Sequence, residues 1–181
     1  YNAAAFGHNI LTFDGREMRK NRTDSAAIVG HEFDDERGGW WQVDLTGLYH
    51  DVRTVRRTVV YLAPTTVVVY DTASLADDAV ASLRWHAASE PELSADGRFS
   101  IVNQQSAIDC LVTSPAGQHL TATLEQHEYV EPFNRFRLGD EFQQVHEPYV
   151  DFRLQAREVS FLSLFQIRPA AVDPVQWIGE P

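Results

Sequence analysis

The chain has 181 residues, of which 44% are hydrophobic, so it can bury the core of one globular domain and lacks the composition of a disordered segment. Its formal net charge of −11 excludes nucleic-acid binding by bulk electrostatics, because the phosphate backbone would be repelled. No apolar run approaches the roughly 20 residues that span a bilayer. The single cysteine, Cys110, excludes an internal disulfide, and its apolar surroundings predict a buried, unreactive thiol.

The first predicted strand opens on a polar pair, His8-Asn9, and ends at an Asp14-Gly15 turn. Neutral imidazole is the commonest metal ligand, and an asparagine beside it can orient it or bind substrate, which makes Asn9 a candidate substrate contact. One histidine makes no metal site, so an ordinary structural role stays open. Because an imidazole buried without a partner is costly, we predict that His8 lies at a polar site outside the apolar core.

Two groups of basic residues could offset the acidic net charge locally. They are Arg16, Arg19, Lys20 and Arg22 near the beginning, and Arg53, Arg56 and Arg57 further along. Either group could bind an acidic polysaccharide, and Arg16 is selected as a candidate substrate contact. The alternative is that they are solvated charges of loops and strand edges.

Residues 31–36, which read His-Glu-Phe-Asp-Asp-Glu, form an acidic stretch. Its spacing matches no calcium-binding loop motif, so an exposed loop is predicted. Trp40 and Trp41 follow it. Because neighbours on a strand face opposite ways, one of the two is expected in the core, and the other could stack on a sugar ring.

Hydrophobic residues recur with a period of two, which is typical of half-buried strands with one solvated face. The clearest sets are Trp41, Val43 and Leu45; Ala81, Leu83 and Trp85; Leu120, Ala122 and Leu124; and Val150, Phe152 and Leu154. Runs 59–62, 67–70 and 159–165 are apolar on both faces and indicate central strands. Ala63-Pro64 separates the first two of these runs, which predicts a hairpin.

Together these patterns predict an all-β fold, an antiparallel sandwich of about ten strands in two or more stacked sheets, with little helix. No internal repeat, linker or low-complexity segment is visible, so residues 1–181 are expected to form a single domain. The spacing of the turn signals is that of sandwich proteins rather than of alternating strands and helices.

His86 lies beside Arg84 on the polar face of the strand that carries Trp85. One interpretation is an edge histidine with an ordinary hydrogen bond. The other is a residue that lines a cleft between domains, and on that interpretation His86 is a further candidate substrate contact.

Several of these segments resemble the C-terminal β domain of heparinase II/III-like polysaccharide lyases. Residues 7–17 are similar to the family's His-Asn-Thr … Asp-Gly segment, with Ile10 in place of the threonine. The strand with Arg56-Arg57 and the following residues 67–71 are similar to the family's hairpin, with Val55 where a histidine is frequent. The Leu-Arg-Trp-His strand that ends at position 86 and the closing strand are similar too, so the resemblance spans nearly the whole chain.

The resemblance implies that the complete protein has an N-terminal helical toroid domain and cleaves an acidic polysaccharide, such as heparan sulfate or alginate, by β-elimination. The family's proton-transfer residues lie upstream, so no catalytic residue is expected in this chain, which alone should be inactive. His8 would be a zinc ligand, completed by an upstream His-x-His-x-Asp segment. The family also implies a bacterial periplasmic or secreted location.

Two other functions stay open. The sandwich could be a non-catalytic carbohydrate-binding or adhesion module, or a purely structural module without glycan contact. The preceding sequence would distinguish them, because a lyase of this kind must carry the helical toroid and the His-x-His-x-Asp segment upstream.

Overall fold

The computed structural model describes residues 7–19, 25–129 and 146–174. Within these ranges the chain forms ten β-strands and a turn of 3-10 helix at Thr46–Leu48, and no α-helix. The strands are β1 (Leu11–Phe13), β2 (Ala27–Asp34), β3 (Gly38–Asp44), β4 (Val52–Leu62), β5 (Thr66–His86), β6 (Glu92–Leu93), β7 (Arg98–Val102), β8 (Ser106–Thr113), β9 (Thr121–Glu128) and β10 (His146–Pro169). Every pairing between them is antiparallel, which confirms the predicted all-β class. The same ranges contain no helix of the length and apolar character that crossing a bilayer requires.

Two long strands, β5 and β10, organise the fold. The ladder runs β2-β3-β4-β5-β10-β8-β7-β6, with β1 paired to β5 and β9 paired to β10. Residues 79–86 of β5 pair with residues 149–156 of β10, whereas residues 66–74 pair with residues 158–166, and the register shifts between the two stretches. One layer therefore consists of β1, β9 and the first pair of stretches, 79–86 and 149–156. The other layer consists of the second pair, 66–74 and 158–166, with β4, β3 and β2 on the β5 side and β8, β7 and β6 on the β10 side.

The long strands bend so that one layer faces the other. Trp85 is paired with Val150, yet its indole stands edge-on against the ring of Phe165, with centroids 4.7 Å apart. Phe165 lies fifteen positions further along β10, which would be about 50 Å away in a straight strand. The contact requires the two halves of β10 to lie face to face, as in a sandwich whose sheets share their longest strands.

The core fills the space between the layers. Its fully buried side chains include Leu83, Val150 and Phe152 from the layer that contains β1, and Val55 and Phe161 from the other layer. Burial of a side chain of this kind contributes about 1.5–3 kcal/mol. The apolar residues that alternate along the predicted strands therefore drive the two layers together.

Several local predictions are confirmed. β4 and β5 form the predicted hairpin through Ala63-Pro64, whose peptide bond is cis. Cys110 is buried, and burial raises the pKa of its thiol, as expected of an unreactive cysteine. Trp41 packs against the core, whereas Trp40 is exposed on the other face of β3.

Other local predictions are wrong. Residues 31–34 of the acidic stretch belong to strand β2 rather than to a loop, although they are exposed. The polar face of β5 is not solvated, because Ser82 is buried and the side chains of Arg84 and His86 are mostly covered. Arg57 is not a solvated surface charge, since it points into the sandwich. For Ser82, Arg84, His86 and Arg57, a hydrogen-bonding or ionic partner from a distant part of the chain replaces water.

Candidate functional site

The His8-Asn9 pair forms a tight turn immediately before β1. The Ile10 amide donates a hydrogen bond to the His8 carbonyl at 2.9 Å, and the side chains of His8 and Asn9 are exposed. Directly after the turn, Leu11 and Phe13 are buried in the core. His8 therefore lies outside the apolar core, as predicted, on a turn that a buried strand holds in place.

Three contacts fix this turn and the strand that follows it. The side-chain Oδ1 of Asn9 accepts a hydrogen bond from the backbone amide of His86 at 2.8 Å. The Asn9 carbonyl accepts one from Nη1 of Arg57, and the Tyr49 hydroxyl donates to the carbonyl of Leu11 at 2.9 Å. The structure thus brings together two of the sequence candidates, Asn9 and His86, which are 77 positions apart.

The His86 imidazole is held by a carboxylate. Its Nδ1 lies 3.0 Å from Oε1 of Glu147, and its ring packs against Tyr149 with centroids 4.9 Å apart. The hydroxyl of Tyr129 donates to the other oxygen of Glu147. Only 8% of the His86 side chain is exposed, so this residue positions Asn9 through its backbone amide and offers little surface to a ligand.

The phenol of Tyr129 is kept neutral by its surroundings. Burial raises the pKa of Tyr129 to about 12, and the hydrogen bond and charge of Glu147 act in the same direction. Burial also lowers the pKa of His127, whose ring stands edge-on to Tyr129 at 4.9 Å. A neutral phenol can donate to a carboxylate, whereas a phenolate would repel it. The hydrogen bond from Tyr129 to Glu147 is therefore available at neutral pH.

A second polar group on the same face is centred on the fully buried Asp151. The Ser82 hydroxyl donates to its Oδ1, and Arg153 donates to Oδ2 through Nε and Nη2 at 2.9 and 2.6 Å. Nε of Arg84 lies 3.6 Å from Oδ2, and its guanidinium lies over the Tyr149 ring at 4.9 Å. The hydrogen bonds and charge of Asp151 raise the pKa of Arg153. Charges on this face are therefore paired and held in fixed geometry.

Arg16, the remaining sequence candidate, lies at the opposite end of β1. Its Nη1 contacts Oδ2 of Asp51 at 2.5 Å, and its Nη2 lies 3.9 Å from Asp14. The cavity beside it is lined by further acidic residues, Glu17, Asp77 and Asp78. The structure does not bring Arg16 together with Asn9 and His86, and the acidic surroundings disfavour an anionic ligand there.

Two members of the same basic group, Lys20 and Arg22, lie outside the described residues.

The described ranges do not contain the ligands of a complete metal site. Residues 7–19, 25–129 and 146–174 contain no group of three or more His, Cys, Asp or Glu side chains that could hold a metal. An exposed imidazole on a fixed turn, such as that of His8, has the chemistry of one zinc ligand, but protein zinc sites use three or four. His8 therefore fits part of a zinc site, and the other ligands would have to come from elsewhere.

Sequence reasoning missed Glu147, Tyr129 and Asp151, and it also missed Asp71, which accepts two hydrogen bonds from Arg57. Asp71 carried a signal, because it directly follows the apolar run of a strand predicted to be covered on both faces, where a charge requires a partner. The others carried no local signal. Their contacts depend on the pairing of β5 with β10 and of β9 with β10, which no short motif specifies.

Residues 1–161 match the model of the family described as Heparinase II/III-like, C-terminal. The structure is similar to that of heparan sulfate lyase HepC from Pedobacter heparinus, with a TM-score of 0.73 and 13% identity over 93% of this chain and 25% of that one. It is also similar to a crystal structure of heparinase III, with a TM-score of 0.63 and 12% identity over 90% of this chain and 23% of that one.

Among curated proteins, none matches the chain. At 12–13% identity the structural likeness shows the fold alone. The chain spans about a quarter of the length of the solved structures that it resembles.

Proposed function

The chain belongs to the heparinase II/III-like C-terminal family, and from this membership we propose that it is the β domain of a lyase that cleaves an acidic, uronate-containing polysaccharide by β-elimination. In this proposal the domain closes and supports the active cleft, next to an N-terminal helical toroid domain. The observation that carries the proposal is the His8-Asn9 turn, which presents two exposed polar side chains from a backbone fixed by buried contacts.

The chemistry divides between the two domains. β-Elimination requires neutralisation of the uronate carboxylate, a base for the C5 proton and an acid for the leaving oxygen. The base and acid would come from the toroid, so that no residue of this chain is catalytic. Asn9 would hold substrate: its Oδ1 is engaged by the His86 amide, which leaves Nδ2 to donate to a carboxylate or hydroxyl of the glycan.

The proposal extends to zinc and to location. When bound, zinc would clamp the two domains together, and His8 would supply one ring nitrogen while an upstream His-x-His-x-Asp segment supplied the other ligands. We place the protein in the bacterial periplasm or outside the cell, where it would meet polysaccharide. Cell fractionation tests this, and recovery of the protein only from the cytoplasm would contradict it.

The test uses the full-length protein with heparan sulfate and with alginate, and follows the ultraviolet absorbance of unsaturated uronate. We expect product from one of the two substrates and a raised KM for Asn9→Ala. His8→Ala should lose zinc by elemental analysis. His119→Ala, which alters another exposed histidine, is the matched control and should keep both zinc and activity.

The proposed assignment of the catalytic base and acid to the toroid domain has its own test. The isolated 181-residue chain should release no unsaturated uronate from either substrate. Release by that chain would contradict the assignment of base and acid to the toroid. Absence of product from every uronate polysaccharide with the full-length protein would contradict the lyase itself.

A second candidate function, non-catalytic carbohydrate binding, is favoured by aromatic rings on the β2–β3 hairpin. Phe33 is 65% exposed and lies between His31 and Trp41 on one face, with ring centroids 6.1 and 6.2 Å apart and interplanar angles of 27° and 28°. A Cβ at Gly39 would lie 2.4 Å from the backbone carbonyl oxygen of Glu32 and 2.6 Å from the Phe33 ring, so this glycine allows both to approach β3 closely. The exposed ring of Phe33, which lies between His31 and Trp41, can stack on the apolar face of a sugar.

Calorimetric titration with oligosaccharides tests this second function. Phe33→Ala should weaken binding, whereas Trp40→Ala, on the opposite face of the same hairpin, should not. Equal affinities of the two variants and the wild type would remove the hairpin as a glycan-binding surface.

A further inference from the structure

Arg57 occupies a position that the strand pattern assigns to the core. It lies on the inward face of β4 between Val55 and Val59, which are both buried, and only 16% of its side chain is exposed. A guanidinium is costly to bury unless its donors are matched by acceptors. The contacts of Arg57 therefore indicate why an arginine, rather than an apolar residue, stands here.

Two of its donors are used to fix the guanidinium plane. Arg57 lies directly opposite Asp71 in the β4–β5 register, and its Nε and Nη2 donate to the two carboxylate oxygens at 2.7 and 2.9 Å. Only 2% of the Asp71 side chain is exposed. The guanidinium also lies over the Trp85 ring, 5.6 Å from its centroid. A bidentate pair stacked on an aromatic ring has little freedom to rotate.

A third donor leaves the ion pair and reaches the candidate site. Nη1 of Arg57 donates to the backbone carbonyl of Asn9. The pairing with Asp71 is complete without this bond, so stability of the ion pair does not explain it. Its effect is to connect the interior of the sandwich to the turn that carries His8.

We propose that Arg57 is a positioning residue for the His8-Asn9 turn. Asp71 and Trp85 hold the guanidinium from within the sandwich, and the guanidinium holds the Asn9 carbonyl. The exposed side chains of His8 and Asn9 then project from a fixed backbone. The inference rests on the proposed function only for what these two side chains bind, namely zinc and an acidic glycan.

The alternative is that Arg57 and Asp71 form a purely stabilising ion pair. The chain offers a matched control for this in Arg168 and Asp109, which are joined by two hydrogen bonds of 2.6 and 3.0 Å. The side chains of this second pair are 9% and 6% exposed, and it links β8 to β10 without contact to the turn. Loss of either pair should destabilise the fold, but only loss of Arg57 should loosen the turn.

The experiment compares Arg57→Lys with Arg168→Lys in the full-length protein. Lysine keeps the charge opposite Asp71, but its single nitrogen cannot reproduce the planar fork that also reaches Asn9. Hydrogen exchange is measured at the amides of His86 and Ile10, whose hydrogen bonds end on the turn. We expect exchange about tenfold faster in Arg57→Lys and unchanged within about twofold in Arg168→Lys.

Two results would overturn the inference. One is unchanged exchange at both amides in Arg57→Lys, and the other is an equal acceleration in Arg168→Lys, which would indicate general loosening. If Arg57→Lys does not fold, the wild-type protein provides the test by NMR. A coupling across the hydrogen bond between Nη1 of Arg57 and the Asn9 carbonyl is then expected, and its absence would remove the role of Arg57.

Zinc content separates this inference from the proposed function. If both hold, His8→Ala loses zinc and Arg57→Lys binds it more weakly than Arg168→Lys does. If Arg57→Lys loosens the turn but His8→Ala keeps its zinc, the positioning role stands and the zinc site falls. If His8→Ala loses zinc while Arg57→Lys changes neither exchange nor zinc, the zinc site stands and the role of Arg57 falls.

Discussion

Asp151 is fully buried, so its charge is balanced by neighbouring side chains rather than by water. Ser82 and Arg153 donate hydrogen bonds to it, and Arg84 lies within ion-pair distance. Moving a carboxylate out of water costs several kcal/mol unless charges and hydrogen bonds replace the lost hydration. This one side chain therefore sets the positions of two arginines on the face that also carries Tyr149 and His86.

We predict that Asp151→Asn destabilises the domain by about 3 kcal/mol, because the two arginines lose their shared carboxylate while the side chain keeps its size. Unfolding in urea measures the change. Asp96→Asn is the control, since Asp96 is exposed and pairs with Arg98 at the surface, where such a change costs less than about 1 kcal/mol. Equal losses in the two variants would show that Asp151 does not organise its neighbours.

Tyr129 contributes to the loss of stability that is expected of the folded chain at alkaline pH. Its pKa is raised from 10.0 to about 12 in the folded state, so between these pH values the unfolded chain releases a proton that the folded chain retains. The stability contributed by Tyr129 is complete below pH 10 and is lost as pH rises through 12. We expect the unfolding free energy to fall over this range in the wild type and to fall less steeply in Tyr129→Phe. Identical slopes in the wild type and in Tyr129→Phe would contradict the assignment.

At the scale of single elements, strand β3 begins at a glycine that makes a close backbone contact. Gly38 has a φ of +102°, and a Cβ there would lie 2.1 Å from the carbonyl oxygen of Tyr61 in β4. Gly117 also has a positive φ, +69°, but no atom lies within 4 Å of where its Cβ would be. At both positions the backbone conformation would strain a residue with a Cβ, but only at Gly38 would that Cβ also lack space.

This difference predicts unequal costs for the same substitution. Gly117→Ala should lower the unfolding free energy by about 1 kcal/mol, which is the strain alone. Gly38→Ala should cost about 3 kcal/mol, because β3 and β4 must also move apart. Thermal unfolding measures both, and a Gly38→Ala variant as stable as Gly117→Ala would contradict the close approach.

The parts of the fold that the sequence predicts are those with local causes. The hairpin at Ala63-Pro64 follows from a turn signal between two apolar runs, and alternation locates the buried Leu83 and Phe152. The runs near Val69 and Leu83 read as two strands, whereas both belong to β5. The continuity of β5 and β10 arises from their pairing with each other across the whole chain, for which a short window contains no signal.

The candidate site is likewise predictable from the sequence only where the causes are local. Asn9 and His86 are each recognisable from residue type and position, but their hydrogen bond depends on the pairing of β1 with the end of β5. Arg57 and Arg16 look equivalent as basic residues. The register of β4 places Arg57 opposite the buried Asp71, and the turn after β1 leaves Arg16 among exposed carboxylates. Charge in the sequence thus identifies both arginines as candidate site residues, and strand register determines which of them reaches the site.

At the scale of the whole molecule, the bend in β5 and β10 connects the candidate site to both layers. Trp85 is the last but one residue of β5, and the Arg57 guanidinium lies over its ring. Its Nε1 donates to the Ser163 hydroxyl at 3.2 Å, and its ring meets Phe165 on the far half of β10. The support of the His8-Asn9 turn therefore depends on the two layers being held face to face.

A double-mutant cycle between Trp85 and Phe165 tests this arrangement. The two residues approach each other only if β10 bends back, so Trp85→Leu and Phe165→Leu should be non-additive in unfolding free energy, with a coupling of about 1 kcal/mol for an edge-on aromatic pair. The control cycle combines Trp85→Leu with Ile28→Ala, because Ile28 is exposed on β2, and its coupling should be close to zero. Additive effects in the first cycle would mean that the two halves of β10 do not face each other in solution, and the support that Trp85 gives to Arg57 would have to be sought elsewhere.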